Sequence, residues 1–88
     1  MCGIYFIKNI INNKIYVGSS KDINCRIKRH KSSLKNNKHY NILLQRSYNK
    51  YGQESFEYLI IEIVFDIKSL ISREQYYISK YKSYKRNK

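Results

Sequence analysis

Two short apolar stretches near the start of the chain predict a β-hairpin. Residues 4–8 and 14–19 are rich in Ile, Tyr, Val and Phe, and an Asn-rich segment separates them. Asn tolerates the positive φ angles that tight turns need, so this segment is expected to be the turn.

The register of the hairpin follows from the position of its turn. A turn centred on Asn12 and Asn13 would place Asn9 opposite Tyr16. Tyr5 and Tyr16 then share one face of the sheet but lie several residues apart along it. Close contact between the two rings would require a bulge or a shifted pairing.

Two helices are predicted to follow the hairpin. The first begins near Asp22, a good N-cap residue, and runs to about Lys35. Its apolar positions are spaced as one buried stripe, namely Ile23, Ile27, His30 and Leu34. The second helix is expected over residues 41–51 and ends at Gly52. Its predicted inner face consists of Leu43, Leu44, Ser47, Tyr48 and Tyr51.

A third strand and a last helix complete the predicted elements. Residues 55–65 are apolar enough for a central or half-buried strand, and Asp66 then caps a helix over residues 67–84. One face of that helix would carry Ile71, Glu74, Ile78 and Tyr81. A carboxylate on an apolar face is unusual, because an ionised group is costly to bury unless a cation or a donor meets it.

Length and composition predict one small globular domain over residues 1–88. Hydrophobic residues make up 42% of the chain, which excludes a disordered tail. No apolar run approaches the roughly 18 residues that cross a bilayer. The first residues lack the pattern of a signal peptide, so we expect an intracellular protein, in the cytoplasm or in the nucleoid or nucleus.

Charge gives the first indication of a partner. Eighteen Lys and Arg against six Asp and Glu give a net charge of +12. So high a charge on a small body repels itself, and a polyanionic partner explains why it is tolerated. Nucleic acid is the first expectation, an anionic membrane the second and a heparin-like polymer the third.

Six short motifs then occur in order along nearly the whole chain. They are Gly3-Ile4-Tyr5, Tyr16-Val17-Gly18, Arg26 with His30, His39 before Leu44-Gln45-Arg46, Asn49-Lys50-Tyr51-Gly52 with Phe56, and Arg73-Glu74. This order resembles the GIY-YIG nuclease superfamily, particularly its branch of phage and intron homing endonucleases. One triplet alone would be weak support, but six motifs in the right order make chance an inadequate explanation.

The resemblance implies an α+β fold, a small three-stranded antiparallel sheet flanked by helices. It also implies cleavage of DNA phosphodiesters with one divalent cation, Mg²⁺ or Mn²⁺, and with no small-molecule organic cofactor or membrane partner. Glu74 would be the metal ligand, and Arg26 would steady the charged phosphate. The implied catalytic network for the attacking water consists of Tyr5, Tyr16 and His30. The implied substrate contacts are His39 and the cations Lys28, Arg29 and Arg46.

Each of these residues also has an ordinary structural interpretation. Tyr5 and Tyr16 would otherwise be strand aromatics, and His30 a hydrogen-bonded core histidine. Glu74 would be the partner of an internal salt bridge, for instance to Arg26 or Arg46, and His39 a loop residue. The basic and aromatic segment 80–86 suits either single-strand binding or a solvated helix end.

Two classes of function therefore remain open. The first is a metal-dependent DNA endonuclease, and the second is a basic nucleic-acid-binding module on the same fold that no longer cuts. The chain retains Tyr5, Tyr16, Arg26 and Glu74 together. A module that had lost activity is expected to lose the metal carboxylate or the arginine first, so the enzyme is favoured.

Overall fold

The structure is a computed structural model, and it describes residues 2–81. The strands are β1 (Gly3–Asn9), β2 (Ile15–Ser20) and β3 (Phe56–Ile63), and the helices are α1 (Ile23–Lys35), α2 (Ile42–Tyr51) and α3 (Leu70–Tyr81). Single 3₁₀ turns, Gln53–Ser55 and Ile67–Ser69, precede β3 and α3. The strand order is β2-β1-β3 with both pairings antiparallel, which confirms the predicted fold class.

A four-residue loop between Asn9 and Lys14 sets the register of the hairpin. The amide of Asn9 donates to the carbonyl of Lys14 at 2.9 Å, and Asn13 takes the positive φ of 63°. Ile7 consequently faces Tyr16. The prediction that Asn9 faces Tyr16 is wrong by two residues, because the loop closes around residues 10–13 instead of on Asn12 and Asn13. The shared face was predicted correctly, and the shift moves Tyr16 towards Tyr5.

The two glycines of the strand motifs allow close packing of side chain and backbone. Gly18 faces Tyr5 across the β1–β2 pair, and a Cβ on Gly18 would overlap the Tyr5 ring. A Cβ on Gly3 would overlap the backbone carbonyl oxygen of Glu62 in β3. Gly18 therefore leaves room for the Tyr5 ring, and Gly3 leaves room for the neighbouring strand β3.

Capping residues fix where α1 and α2 begin. The side chain of Asp22 accepts a hydrogen bond from the amide of Cys25 at 3.2 Å, and that of Asn41 accepts one from Leu44 at 3.1 Å. Gly52 ends α2 with a φ of 86°. The stripe predicted for α1 is confirmed, since three of its members are buried and Ile27 packs against them.

Three predicted faces need correction. Leu43 is 52% exposed, and Gln45 is buried on α2 in its place. Ile71 is 62% exposed because the buried stripe of α3 starts one residue earlier, at Leu70, and continues through Glu74. The third strand lies at the edge of the sheet, so much of its apolar surface is open to solvent. The predicted continuation of the last helix to residue 84 lies outside the described residues.

The sheet separates two apolar cores. Between the sheet and the first two helices lie Tyr5, Ile7, Tyr16, Ile23, Leu34, Leu44 and Phe56. The second core, between the sheet and α3, consists of Ile4, Phe6, Val17, Val64 and Leu70. Alternate residues of β1 therefore serve opposite cores, as expected for a central strand.

An ion pair holds α3 against the edge strand. The guanidinium of Arg73 contacts the Glu62 carboxylate from both Nε and Nη2, at 2.9 to 3.2 Å, and the Tyr77 hydroxyl donates to the same carboxylate at 2.8 Å. These donors hold the pKa of Glu62 below its usual range. Arg73 is thus fixed beside Glu74, the carboxylate that the sequence singled out.

The close approach of Gly18 and Tyr5 predicts that the cost in stability of substituting Gly18 depends on whether the Tyr5 ring is present. We expect Gly18→Ala to lower the free energy of unfolding by about 1–3 kcal/mol, the usual scale of overpacking, because the new methyl group displaces the Tyr5 ring. Urea denaturation of Gly18→Ala, Tyr5→Leu and the double variant measures the coupling. The cost of Gly18→Ala should fall when the ring is absent. Strictly additive costs would show that the crowding lies elsewhere.

Candidate active site

A buried hydrogen bond joins the central strand to the first helix. The Tyr5 hydroxyl in β1 lies 2.5 Å from Nε2 of His30 in α1. The two residues are 1% and 2% exposed. The sequence places His30 on the inner stripe of α1 and Tyr5 on the inner face of β1, so both point into the same core.

The segment between α1 and α2 extends this contact to the surface. Nδ1 of His30 lies 2.7 Å from Nε2 of His39. The ring of Tyr40 stacks on His39 with a centroid separation of 4.6 Å. Its hydroxyl lies 2.6 Å from the hydroxyl of Tyr16. Together with Tyr5, the four rings of Tyr16, His30, His39 and Tyr40 therefore form one contiguous, largely buried network.

The side chain of Gln45 anchors the segment between α1 and α2 through hydrogen bonds. Its Oε1 accepts a hydrogen bond from the backbone amide of His39 at 3.0 Å. Its Nε2 donates to the carbonyl of Leu34 and to the side chain of Asn49, each at 3.0 Å. The buried amide thereby ties the end of α1, the following loop and α2 together. Three satisfied hydrogen bonds explain why a polar residue is buried there.

Arg26 and Arg29 form a basic ridge between two cavities. The first cavity, of about 330 Å³, is lined by Arg26, Arg29, His30, Ser33, His39 and Tyr40. Ser19, Ser20, Lys21 and Leu70 line part of a second one, of about 390 Å³, together with both arginines. Arg26 lies one turn before His30, so the guanidinium is carried to the edge of the buried network.

The Glu74 side chain is within electrostatic range of this network. It is 3% exposed on α3. Burial raises the pKa of Tyr5 well above its usual range, and the Glu74 charge acts in the same direction. Arg26 acts in the opposite direction on that pKa, through its charge and a hydrogen bond. A phenol, a guanidinium and a carboxylate therefore influence one another here.

Both histidines of the chain are neutral at physiological pH. Burial, together with the electrostatic effects of His39 and Arg26, lowers the pKa of His30 to about 3. Burial also lowers the pKa of His39. Two neutral imidazoles in contact can each donate one hydrogen bond and accept another.

The structure does not bring every predicted site residue together. Lys28 is exposed and lies about 200° around α1 from Arg26. Arg46 lines a separate groove of about 260 Å³ with Lys14 and Lys50. A larger cavity, about 640 Å³, lies on the opposite side of α1 and is lined by Lys31, Lys35, Tyr48 and Tyr58 among others. The predicted residues around Tyr5 converge, whereas Lys28 and Arg46 stand apart.

Sequence reasoning missed Tyr40 and Gln45 as members of the site. Tyr40 directly follows His39, and its 66% exposure gives it the profile of an ordinary surface ring. Gln45 was noted only as part of a motif. The available signal was the position of Tyr40 next to His39 and the place of Gln45 inside the Leu44-Gln45-Arg46 motif.

Comparison with known proteins identifies the family. The model of the GIY-YIG catalytic domain matches residues 1–87. The chain belongs to the GIY-YIG catalytic-domain family. Intron-associated endonuclease 1 of Enterobacteria phage T4 is 44% identical over 81 residues, covering 92% of this chain and 33% of that protein. Probable intron-encoded endonuclease 1 of Neurospora crassa is 35% identical over 85 residues, covering 90% of this chain and 27% of that protein.

Two solved structures of an endonuclease catalytic domain are similar to this chain. The catalytic domain of the homing endonuclease I-TevI superimposes with a TM-score of 0.91 and 40% identity, and each chain is covered completely. A mutant of the same catalytic domain gives a TM-score of 0.85 and 43% identity, with 96% of this chain and 91% of that chain covered. The chain spans about a third or less of the curated relatives it matches. No helix within residues 2–81 has the length and apolar character to cross a membrane.

The neutral, buried His30 predicts that acid weakens this GIY-YIG fold. Its folded pKa lies below the roughly 6.5 expected after unfolding, so the unfolded chain binds more protons between those values. The free energy of unfolding should fall as pH drops below about 6.5, by up to about 1.4 kcal/mol per pH unit from His30 alone.

Urea denaturation between about pH 7.5 and 5.5 tests this, because ordinary carboxylates stay ionised over that range. His30→Gln provides the matched control, since it removes one titrating group and leaves His39 in place. The variant should depend less on pH than the parent. Equal slopes would mean that the pKa of His30 is the same in the folded and unfolded chains.

Proposed function

We propose that this chain is the catalytic part of a DNA endonuclease that hydrolyses phosphodiester bonds with one divalent cation. Family membership supports a nuclease, and both curated relatives are named as endonucleases. The observation that carries the proposal is the buried Tyr5–His30 hydrogen bond, placed beside Arg26 and in electrostatic range of Glu74. Reactive groups converge there in a core that packing alone would fill with apolar side chains.

The arrangement suits attack of water on a phosphate. Hydrolysis forms a bond from the water oxygen to phosphorus and breaks the bond to the leaving oxygen, while negative charge builds on the phosphate. Arg26 would stabilise that charge from the edge of the cavity. Tyr5 would act as the general base that removes a proton from the water. Tyr16, held by Tyr40, would orient the reactants from the opposite side.

The donor set fits a hard cation such as Mg²⁺ or Mn²⁺. Residues 2–81 contain no cluster of three or more His, Cys, Asp and Glu side chains, so a closed protein cage is not available within them. Mg²⁺ is commonly held by one or two carboxylates and keeps several waters, which matches the single buried Glu74. When bound, such a cation would supply Lewis-acid stabilisation of the phosphate. The reaction requires no organic cofactor.

DNA is the partner that the charge distribution favours. The net charge of +12 provides long-range attraction to a polyanion. Arg29 lines both cavities beside Arg26, so it would contact a phosphate next to the one that is cut. Since phosphate contacts carry no sequence information, we expect this domain to bind with little sequence preference.

Nicking of supercoiled plasmid with Mg²⁺ and with EDTA tests the proposal, using Glu74→Gln as the key variant. We expect the parent to nick only with the cation and Glu74→Gln to be inert. The variant should melt at the parent temperature or slightly above, because it removes a partly desolvated charge. Glu57→Gln, the same change at an exposed position of β3, should nick like the parent.

Two outcomes would count against the proposal. A parent protein that binds DNA but never nicks it would indicate the non-catalytic binding module. A large drop in the melting temperature of Glu74→Gln, with nicking retained in the folded fraction, would make Glu74 a structural ion-pair partner instead of a metal ligand.

The placement of the arginines predicts a difference between two adjacent cations. Removing one phosphate contact should weaken binding to all DNA sequences and reduce the slope of log affinity against log salt by about 1. We expect this of Arg29→Ala, and a smaller effect of Lys28→Ala, which removes the same charge from a residue that lines neither of these two cavities. Fluorescence anisotropy with a short duplex at several salt concentrations measures both. Equal losses would indicate that charge, not placement, determines affinity.

A further inference from the structure

We infer that the backbone amide of Asn41 fixes the direction of a hydrogen-bond chain through His39 and His30, so that His30 donates to the Tyr5 oxygen. His39 and Gln45 are then positioning residues for Tyr5. This inference gives the proposed endonuclease a defined role for His30, which is to donate to the phenol and not to receive its proton.

The direction begins at a group that can only donate. The Asn41 amide lies 3.0 Å from Nδ1 of His39. A backbone amide has a hydrogen and no lone pair to offer, so Nδ1 of His39 must be the acceptor. A neutral imidazole that accepts at one nitrogen carries its hydrogen on the other. His39 therefore bears its hydrogen on Nε2.

The same reasoning carries the direction to Tyr5. Nε2 of His39 points at Nδ1 of His30, 2.7 Å away, and donates to it. His30 then bears its hydrogen on Nε2, which lies 2.5 Å from the Tyr5 hydroxyl. This hydrogen-bond chain requires both imidazole rings to be neutral, and burial lowers the pKa of each.

The consequence falls on the phenol of Tyr5. Its oxygen receives a hydrogen bond from His30, and the Arg26 side chain nearby acts to lower its pKa. Since His30 donates, the hydroxyl hydrogen of Tyr5 must point away from His30. The donor and the cation both favour the phenolate, the form that a general base requires, and so oppose the effect of burial, which raises the pKa. His30 has no vacant nitrogen with which to take up the Tyr5 proton.

The first donor of this hydrogen-bond chain, the Asn41 amide, is held in place by its neighbours. The side chain of Asn41 caps α2, which fixes the residue whose amide begins the chain. Gln45 accepts from the His39 amide and is anchored in turn at Leu34. The imidazole of His39 is thus set by the N-terminus of α2, and its stacking on His30 at 23° keeps the two rings nearly parallel.

Nuclear magnetic resonance can observe the tautomers directly. The chain has only two histidines, so long-range ¹H–¹⁵N spectra of the labelled protein at neutral pH contain two ring systems, assigned with His30→Gln and His39→Gln. We expect a protonated Nε2 and a bare Nδ1 in each ring. A hydrogen on Nδ1 of His30, or a charged ring, would overturn the inference. This measurement needs neither DNA nor a cation, so it stands apart from the nicking test.

Two substitutions of His39 separate positioning from packing. His39→Phe keeps a ring stacked on His30 and removes the donor, whereas His39→Gln retains a donor near the position of Nε2. We expect His39→Phe to populate the second tautomer of His30 and to slow cleavage at saturating DNA about tenfold, the scale of one hydrogen bond. His39→Gln should recover part of the rate and retain the parent tautomer.

The controls are the melting temperature and the DNA affinity of each variant, both expected to stay close to the parent values. Equal rates for the two variants would overturn the inference. So would a loss confined to DNA affinity with the His30 tautomer unchanged, because that result would make His39 a substrate contact.

Discussion

The hydrogen bond between Tyr5 and His30 is the interaction on which the rest of the molecule depends. It joins the central strand to α1 inside the core, where an unsatisfied polar group would cost about 1–3 kcal/mol. Satisfying His30 requires His39, and holding His39 requires Gln45 and the start of α2. One buried phenol in a small domain therefore influences how two helices and the loop between them are arranged.

The overlap between the apolar core and the hydrogen-bonded network explains how so small a domain can fix the geometry of its candidate site. Tyr5 and Tyr16 belong to the apolar cluster on the α1 side of the sheet and also reach the buried network. Residues locked by packing cannot drift from their working geometry, which loops alone rarely achieve. Gly18 contributes by leaving space for the Tyr5 ring. The side chains that pack this core are therefore the ones to which we assign the proposed chemistry.

Most elements and the central site residues could be predicted from the sequence, because both leave periodic or motif signals. The stripe of α1 is an example, with His30 inside it. The hairpin register could not be predicted, since it depends on where the loop closes and not on apolar alternation. Lys28 and Arg46 showed the same limit: charge is visible in a sequence, but the side of a helix that faces the site depends on tertiary packing. The catalytic roles of the residues around Tyr5, Glu74 as metal ligand and the substrate contacts all remain predictions.

The open edge of β3 has a consequence for the behaviour of the isolated domain. Leu59, Ile60 and Ile63 are 39%, 45% and 37% exposed on a strand whose outer side pairs with no strand among residues 2–81. Such an edge is a template for pairing with a second copy. The large positive charge opposes that encounter, but salt screens the repulsion. High salt would therefore release the nucleic acid that we propose as the partner and at the same time weaken the barrier to self-association, so solubility and freedom from bound DNA would make opposite demands on the solvent.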